Sequence, residues 1–286
     1  MKILFIKQKG EDYLADCVYH GLKSKFGRDV VSSADLDYMY KNYSDKTSLY
    51  GKGFTLFCDL DPTQKNVGSR EEIKKSITNK EYDYIFYGSI WRCTDYLELV
   101  KQYYPANKVV VFDGEDSPRL HPLTNETVYF KRELENPGQI KVHPISFSIP
   151  AGKIVKNTLA LKKIKDFGAV VPGQIDTYIF NNEEEYYEDY QKSRFGITVK
   201  KGGWDSMRHY EILANGCLPY FIELESCPPP TLHNFPKELV KQAYRLVGDF
   251  DQKKYDNLLT ELHEYTKKNL TTEACVNYIF EILNKK

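Results

Sequence analysis

Apolar positions along the chain fall into short unbroken runs separated by stretches of helical spacing. The runs 2–6, 30–31, 82–87, 108–112, 129–130 and 145–147 read as strands in the first half, with a further one at 54–58. In the second half the runs 166–171, 177–180, 195–199 and 217–222 do the same. Continuous apolar runs of this length fit strands covered on both faces, as in a parallel sheet. Between them, Leu14, Val18, Leu22 and Phe26 recur at helical spacing, with Gly27 as the stop. Stretches 70–79, 94–104, 159–165, 183–192, 237–247, 255–267 and 272–283 also read as helices. Strands alternating with helices predict an α/β chain with doubly wound parallel sheets.

One stretch carries the densest chemistry. Phe195, Ile197 and Val199 form an apolar strand that runs into Lys200-Lys201-Gly202-Gly203. Asp205 and Ser206 suit a helix N-cap, and Asn215-Gly216 suits its close. A second strand follows, so the whole is a βαβ unit whose turn and helix start present N–H groups to an anion. Arg208 and Glu211 stand three residues apart, hence on one helix face. A guanidinium can grip phosphate and a carboxylate can accept from sugar hydroxyls, as a nucleotide-sugar pocket requires. The alternative is an exposed ion pair, worth only ~0.2–0.5 kcal/mol on a helix surface.

The pattern R-x-x-E-x-x-x-x-G-x-x-P, carried by Arg208, Glu211, Gly216 and Pro219, resembles the donor-site signature of GT-B glycosyltransferases, especially the exostosin-like branch and its bacterial and viral relatives. The close match covers Ser193 to Phe221, and a weaker one most of the chain. The resemblance implies two Rossmann-like domains, 1–150 for the acceptor and 151–286 for the donor, with Pro150 at the linker. It implies a UDP- or GDP-sugar as substrate, transfer without an obligatory metal, and a final helix that crosses back to the first domain. The stretch between the strand at 166–171 and the motif is short, so the second domain is compact. Either its donor pocket is trimmed or the activity has been lost.

Composition narrows the class. The 286 residues are 41% hydrophobic and 28% charged, an ordinary globular balance. Lys+Arg and Asp+Glu are equal at 40 each, which argues against a broad phosphate-neutralising surface and so against long nucleic acid. Tyrosine is abundant, 23 against 2 tryptophans, which suits packing and sugar stacking alike. The six cysteines are scattered without a C-x-x-C, as buried thiols of a reducing compartment would be. No run reaches the ~18 apolar residues of a membrane span, and the start lacks a signal-peptide pattern. The chain is therefore read as cytoplasmic.

Outside the motif, several groups are candidates for chemistry. Asp113, Glu115 and Asp116 follow a buried strand, where one of them is a candidate general base or a helix-capping turn acid. Asp16 and His20, four apart, make either a base with its orienting partner or a solvated face. Lys131 and Arg132 are candidates for an acceptor or phosphate contact, or a surface pair. Lys200 and Lys201 either offset leaving-group charge or are solvated. The histidines show no zinc spacing, and neither dinucleotide-fold, P-loop nor hydrolase glycine patterns occur. Three readings remain: transfer to a glycan or surface polysaccharide, transfer to hydroxylated DNA bases, or a non-catalytic nucleotide- or partner-binding relative. The DNA reading requires a basic groove from Lys7, Lys9, Lys131, Arg132 and Lys201.

Overall fold

The computed structural model describes residues 1–136 and 141–285. Its first sheet is parallel, built from β1 (Ile3–Ile6), β2 (Val30–Ser32), β3 (Tyr84–Tyr87), β4 (Val109–Asp113), β5 (Val128–Lys131) and β6 (His143–Pro144) in the order β2-β1-β3-β4-β5-β6. Alternate residues serve opposite faces. Ile3, Phe5, Phe86, Phe112 and Phe130 enter one core, and Leu4, Ile6, Ile85, Tyr87 and Val111 enter the other. That double coverage is why the strands read as unbroken apolar runs. Helices α2 (Arg70–Thr78) and α3 (Leu97–Tyr103) close the second face through Ile73, Ile77 and Val100. Ser69 and Glu72 form a capping box at the start of α2.

The first face is closed by α1 (Tyr13–Phe26) and, from the far end of the chain, α8 (Thr272–Asn284). Gly21 makes this crossing close: a methyl there would run into the Thr272 carbonyl and Val276. Phe280 stacks edge-on against Phe26 and Tyr84, and the Tyr278 hydroxyl donates to the Pro144 carbonyl. The crossing that the resemblance implied is present.

The second sheet, also parallel, is β7 (Lys165–Phe167), β8 (Ser193–Thr198) and β9 (Leu218–Phe221). Helices α4 (Glu183–Lys192) and α5 (Met207–Ala214) make its crossovers, and α6 (Lys237–Gly248) and α7 (Gln252–Asn269) follow. Two such lobes give the two Rossmann-like units of a GT-B architecture, with a compact second lobe. Ile149 pairs with Thr271, tying the lobe-to-lobe passage to the α7–α8 junction.

Four expected elements differ. Residues 54–58 are not a strand: Thr55 and Cys58 have φ of 69° and 55°, while Leu56 and Phe57 plug the core as anchors of a loop. Residues 178–180 form a loop after a 3₁₀ turn, Ile175–Thr177, and the stretch 159–164 is turn and irregular chain rather than helix, with Lys165 opening β7. At 54–58 the apolar run serves docking rather than periodicity, whereas Leu159, Ile164 and Ile179 stay more than half exposed. The last strand of the first sheet pairs at His143–Pro144, ahead of the expected 145–147. All six cysteines are free, and five are buried.

Candidate functional site

In open parallel sheets ligands lie beyond the carboxyl ends of the strands, at the point where strand order reverses. In the first lobe that point falls between β1 and β3. Asp12 caps α1 there, and its carboxylate accepts from the Ser89 hydroxyl at 2.8 Å, with Arg92 3.7 Å away. Arg92 also pairs with Glu115 at 3.4 Å. Nearby, Lys9, Gly10, Glu11, Asp37 and Tyr38 line a hollow of about 330 Å³. The second lobe faces this edge with the turn after β8 and the start of α5.

The turn is spent differently from expectation. The N–H groups of Trp204 and Asp205 donate to the Glu133 carboxylate at 3.0 and 3.1 Å. Gly202 lies against Asp116 and Gly203 against Glu133 and Arg132, with no room for a Cβ at Gly203. The glycine pair therefore admits the first lobe's own charged groups, and an internal carboxylate fills the nest. Lys200 rests over the Trp204 ring at 5.1 Å.

Arg132 is the hub of this junction. It is buried, donates to the Gly114 and Asp205 carbonyls at 3.0 and 2.9 Å, pairs with Glu133 at 2.8 Å and with Asp116, and stacks on Phe147. Asp205 accepts from the Phe147 N–H at 2.6 Å and from Tyr210 at 2.9 Å. Burial pushes its carboxyl up to about 7, against the pull of Arg132.

Arg208 and Glu211 share a face of α5, but among the described residues no ion pair joins them. Glu211 turns inward. It accepts from the Tyr186 hydroxyl at 2.7 Å and from the Thr55 hydroxyl of the first lobe, which in turn lies 2.6 Å from the Tyr187 hydroxyl. Burial pushes the Glu211 carboxyl up, opposed by these two hydroxyls and by Arg208. Arg208 donates from Nη2 to the Tyr178 hydroxyl at 3.1 Å, while its buried Nε has no partner. Ser206 precedes α5 without a side-chain cap, and of the first-turn donors the His209 N–H turns back to the Ser206 carbonyl at 3.1 Å. The exposed ion-pair alternative for Arg208 and Glu211 does not describe this arrangement.

The remaining expected residues are scattered around the junction. Asp16 is sealed in, 3.1 Å from Lys7 and accepting from Tyr38 at 3.0 Å; burial pushes its carboxyl up to about 6. His20 does not pair with Asp16. It joins Thr272 at 2.9 Å and Asp59 at 3.0 Å, fastening α1 to the start of α8. Lys131 is buried 2.8 Å from Asp113, with its ammonium pushed down by burial against that carboxylate's pull. The solvated-face and surface-pair alternatives thus fail for Asp16, His20, Lys131 and Arg132, which are buried and engaged with other groups of the protein. Glu115 and Asp116 stay accessible, held by Arg92 and Arg132 respectively. The basic groove is not assembled, because Lys7, Lys131 and Arg132 are buried against carboxylates. Among the described residues no three His, Cys, Asp or Glu gather as metal ligands, and no helix is long and apolar enough to cross a membrane.

Sequence reading missed Thr55, Glu133, Asp205 and Tyr178. Three of these act across the lobe junction or within a loop and carry no local pattern. Tyr186, Tyr187 and Tyr190, by contrast, stand at helical spacing in an acidic stretch, a signal that was available.

No family model matches the chain, and no curated protein matches it. Solved structures do. Anabaena Alr3699/HepE in complex with UDP and glucose aligns over 100% of both chains with a TM-score of 0.53 at 12% identity. The same protein in complex with UDP-glucose gives 0.51 at 12%, again over 100% of both chains. An alpha-glucosyltransferase in complex with UDP and a 13-mer DNA containing a central A:G mismatch gives 0.50 at 14%, over 100% of both. At these identities the likeness is one of fold: the GT-B glycosyltransferase fold.

Proposed function

We propose that the chain is a glycosyltransferase that moves a sugar from a nucleotide-diphosphate donor, UDP- rather than GDP-linked, to a hydroxyl of a glycan or surface polysaccharide. The observation that carries this reading is Arg208: a guanidinium whose buried Nε lacks a partner, beside the uncapped start of α5. Leaving a buried donor unmade costs about 1–3 kcal/mol, more for a charged group. That cost is explained if an anion completes the site. The HepE complexes, which share the fold, hold UDP or UDP-glucose and favour the uridine donor. The exostosin-like signature points to the same donor site.

In this reading residues 151–286 hold the donor and 1–150 the acceptor. The α5 start, Arg208, Lys200 and Lys201 take the charge that develops on the departing diphosphate, without a metal being required. Glu211, fixed by Thr55 and Tyr186, has lone pairs left for hydroxyls of the sugar or ribose. The acceptor enters by the hollow at Lys9 and Tyr38, and Glu115, held by Arg92 beside the Asp12 cap of α1, receives its proton. A glycan acceptor is favoured over DNA because three of the five cations needed for a groove are buried.

The test is a thermal-shift and transfer assay on the wild type and Arg208→Met. UDP-glucose at ~100-fold excess over its dissociation constant should stabilise the wild type by about 2.7 kcal/mol. Arg208→Met should lose that response while its ligand-free stability stays equal or rises, since the buried Nε without an acceptor is gone. A retained UDP-glucose response in Arg208→Met defeats the proposal. Binding without transfer to any acceptor would select the non-catalytic alternative.

A further inference from the structure

Two cations of the second lobe converge on a single oxygen, and that oxygen belongs to a phenol. The Arg208 Nη2 donates to the Tyr178 hydroxyl at 3.1 Å, and the Lys201 ammonium donates to the same atom at 3.3 Å. Both cations also lie over the Tyr178 ring, at 5.2 and 5.8 Å from its centre. Two charged donors at this spacing are the usual partners of a phosphate or carboxylate oxygen; a neutral phenol makes a weaker third member. Burial pushes the phenol up, but the Arg208 charge together with Lys201 outweighs it, and the net is below the ordinary tyrosine value. The oxygen between the two cations is thus treated electrostatically as an anion.

The surroundings let this side chain leave. Tyr178 is 40% exposed, whereas the backbone on both sides of it is fastened. The Thr177 hydroxyl donates to the Gln174 carbonyl at 2.7 Å, and Lys52 of the first lobe holds Phe180 and, at 2.8 Å, Asn181. Rotation about the Tyr178 side-chain bonds is enough to free the two cations without opening the loop. The Arg208 Nε, buried and unpartnered on the same guanidinium, is ready for a second oxygen of whatever replaces the phenol.

We infer that the Tyr178 hydroxyl is a placeholder for a phosphate oxygen: a diphosphate binds between Arg208 and Lys201 by turning the phenol out, so Tyr178 sets the affinity and selectivity of the donor site. The inference rests on the donor-site reading above and names its diphosphate subsite and its internal competitor. A competitor multiplies the apparent affinity by the fraction of time the seat is clear. Removing only the hydroxyl therefore has an unusual sign, since deletion of a polar contact tightens binding.

The experiment is titration calorimetry with inorganic pyrophosphate and, separately, UDP on the wild type, Tyr178→Phe, Lys201→Gln and Arg208→Lys. Tyr178→Phe keeps the ring under the cations and should tighten pyrophosphate by about three- to tenfold. Lys201→Gln, at an exposed position that leaves the fold intact, should weaken it by about tenfold, the scale of one lost charge-assisted hydrogen bond. Arg208→Lys should weaken it further by losing the fork. Unchanged or weaker pyrophosphate binding in Tyr178→Phe overturns the inference, as does pyrophosphate binding indifferent to Lys201 and Arg208, or none in any variant. If pyrophosphate behaves as expected while UDP does not bind, the placeholder stands and the nucleotide-sugar reading falls.

Discussion

Replacing Arg132 by Met tests whether the lobe junction is held electrostatically. The guanidinium is only 2% exposed and serves Glu133, Asp116 and the carbonyls of Gly114 and Asp205. Met fills similar volume but serves none of them. Asp116, whose side chain is 59% exposed, can turn to water at little cost. Glu133 and Asp205 cannot, and removing one member of a buried pair typically costs about 3–5 kcal/mol. For a chain of this size that corresponds to a Tm loss of roughly 10 °C. The deficit should also depend on pH. The folded Asp205 carboxyl titrates at about 7, above its unfolded value. Its burden is therefore absent at low pH, grows as pH rises, and is complete above about 7. Arg132 is the main influence pulling that value down, so its loss raises it further. That added shift enlarges the deficit at pH 8 by at most about 1.4 kcal/mol, the one unit between about 7 and 8, and leaves it almost unchanged at pH 5.5. Urea unfolding of both proteins at the two pH values measures this. A deficit below about 1 kcal/mol, or one equal at both pH values, would refute the reasoning.

Three further outcomes follow from contacts described above. Gly203→Ala should destabilise by about 1–3 kcal/mol through overpacking against the buried Glu133 and Arg132, whereas Gly202→Ala should cost much less because exposed Asp116 can yield; calorimetric Tm values compare the two. Gly21→Ala should force α1 from α8 at a cost of about 1–3 kcal/mol, seen as a lower urea midpoint and loss of protection at α8 amides. Thr55→Val removes a hydroxyl that holds the Glu211 carboxyl down, so it should destabilise by about 1–3 kcal/mol, most at alkaline pH and least where Glu211 takes up a proton; equal loss at pH 5 and 8 would count against it.

Most of the architecture was legible because parallel strands buried on both faces write themselves as unbroken apolar runs, and β1 and β4 are examples. The failures at 54–58 and 177–180 are of two kinds. Leu56 and Phe57 anchor a loop in the core, whereas Tyr178 and Ile179 stay at the surface, and a run of four or five apolar residues has no period that separates either case from a strand. The site was legible only where its chemistry is local. Arg208 and Glu211 stand on one helix with a recognisable spacing. Lys131 and Arg132 looked like a surface pair because, beside the adjacent Glu133, the carboxylates around them arrive from residues 113 and 205, distant in sequence. The partners of Glu211 show the same limit, since Thr55 comes from a loop more than a hundred residues away.

The crossing of α8 over α1 sets an order of events during synthesis. The strands of the first sheet can pair as soon as they leave the ribosome, but the phenylalanine-rich face beneath α8 stays bare until residues 272–284 emerge. Through that interval the nascent chain carries a sticky half-built lobe. Its maturation is therefore timed by the arrival of α8, and a product stalled before residue 272 would be a natural client for chaperones.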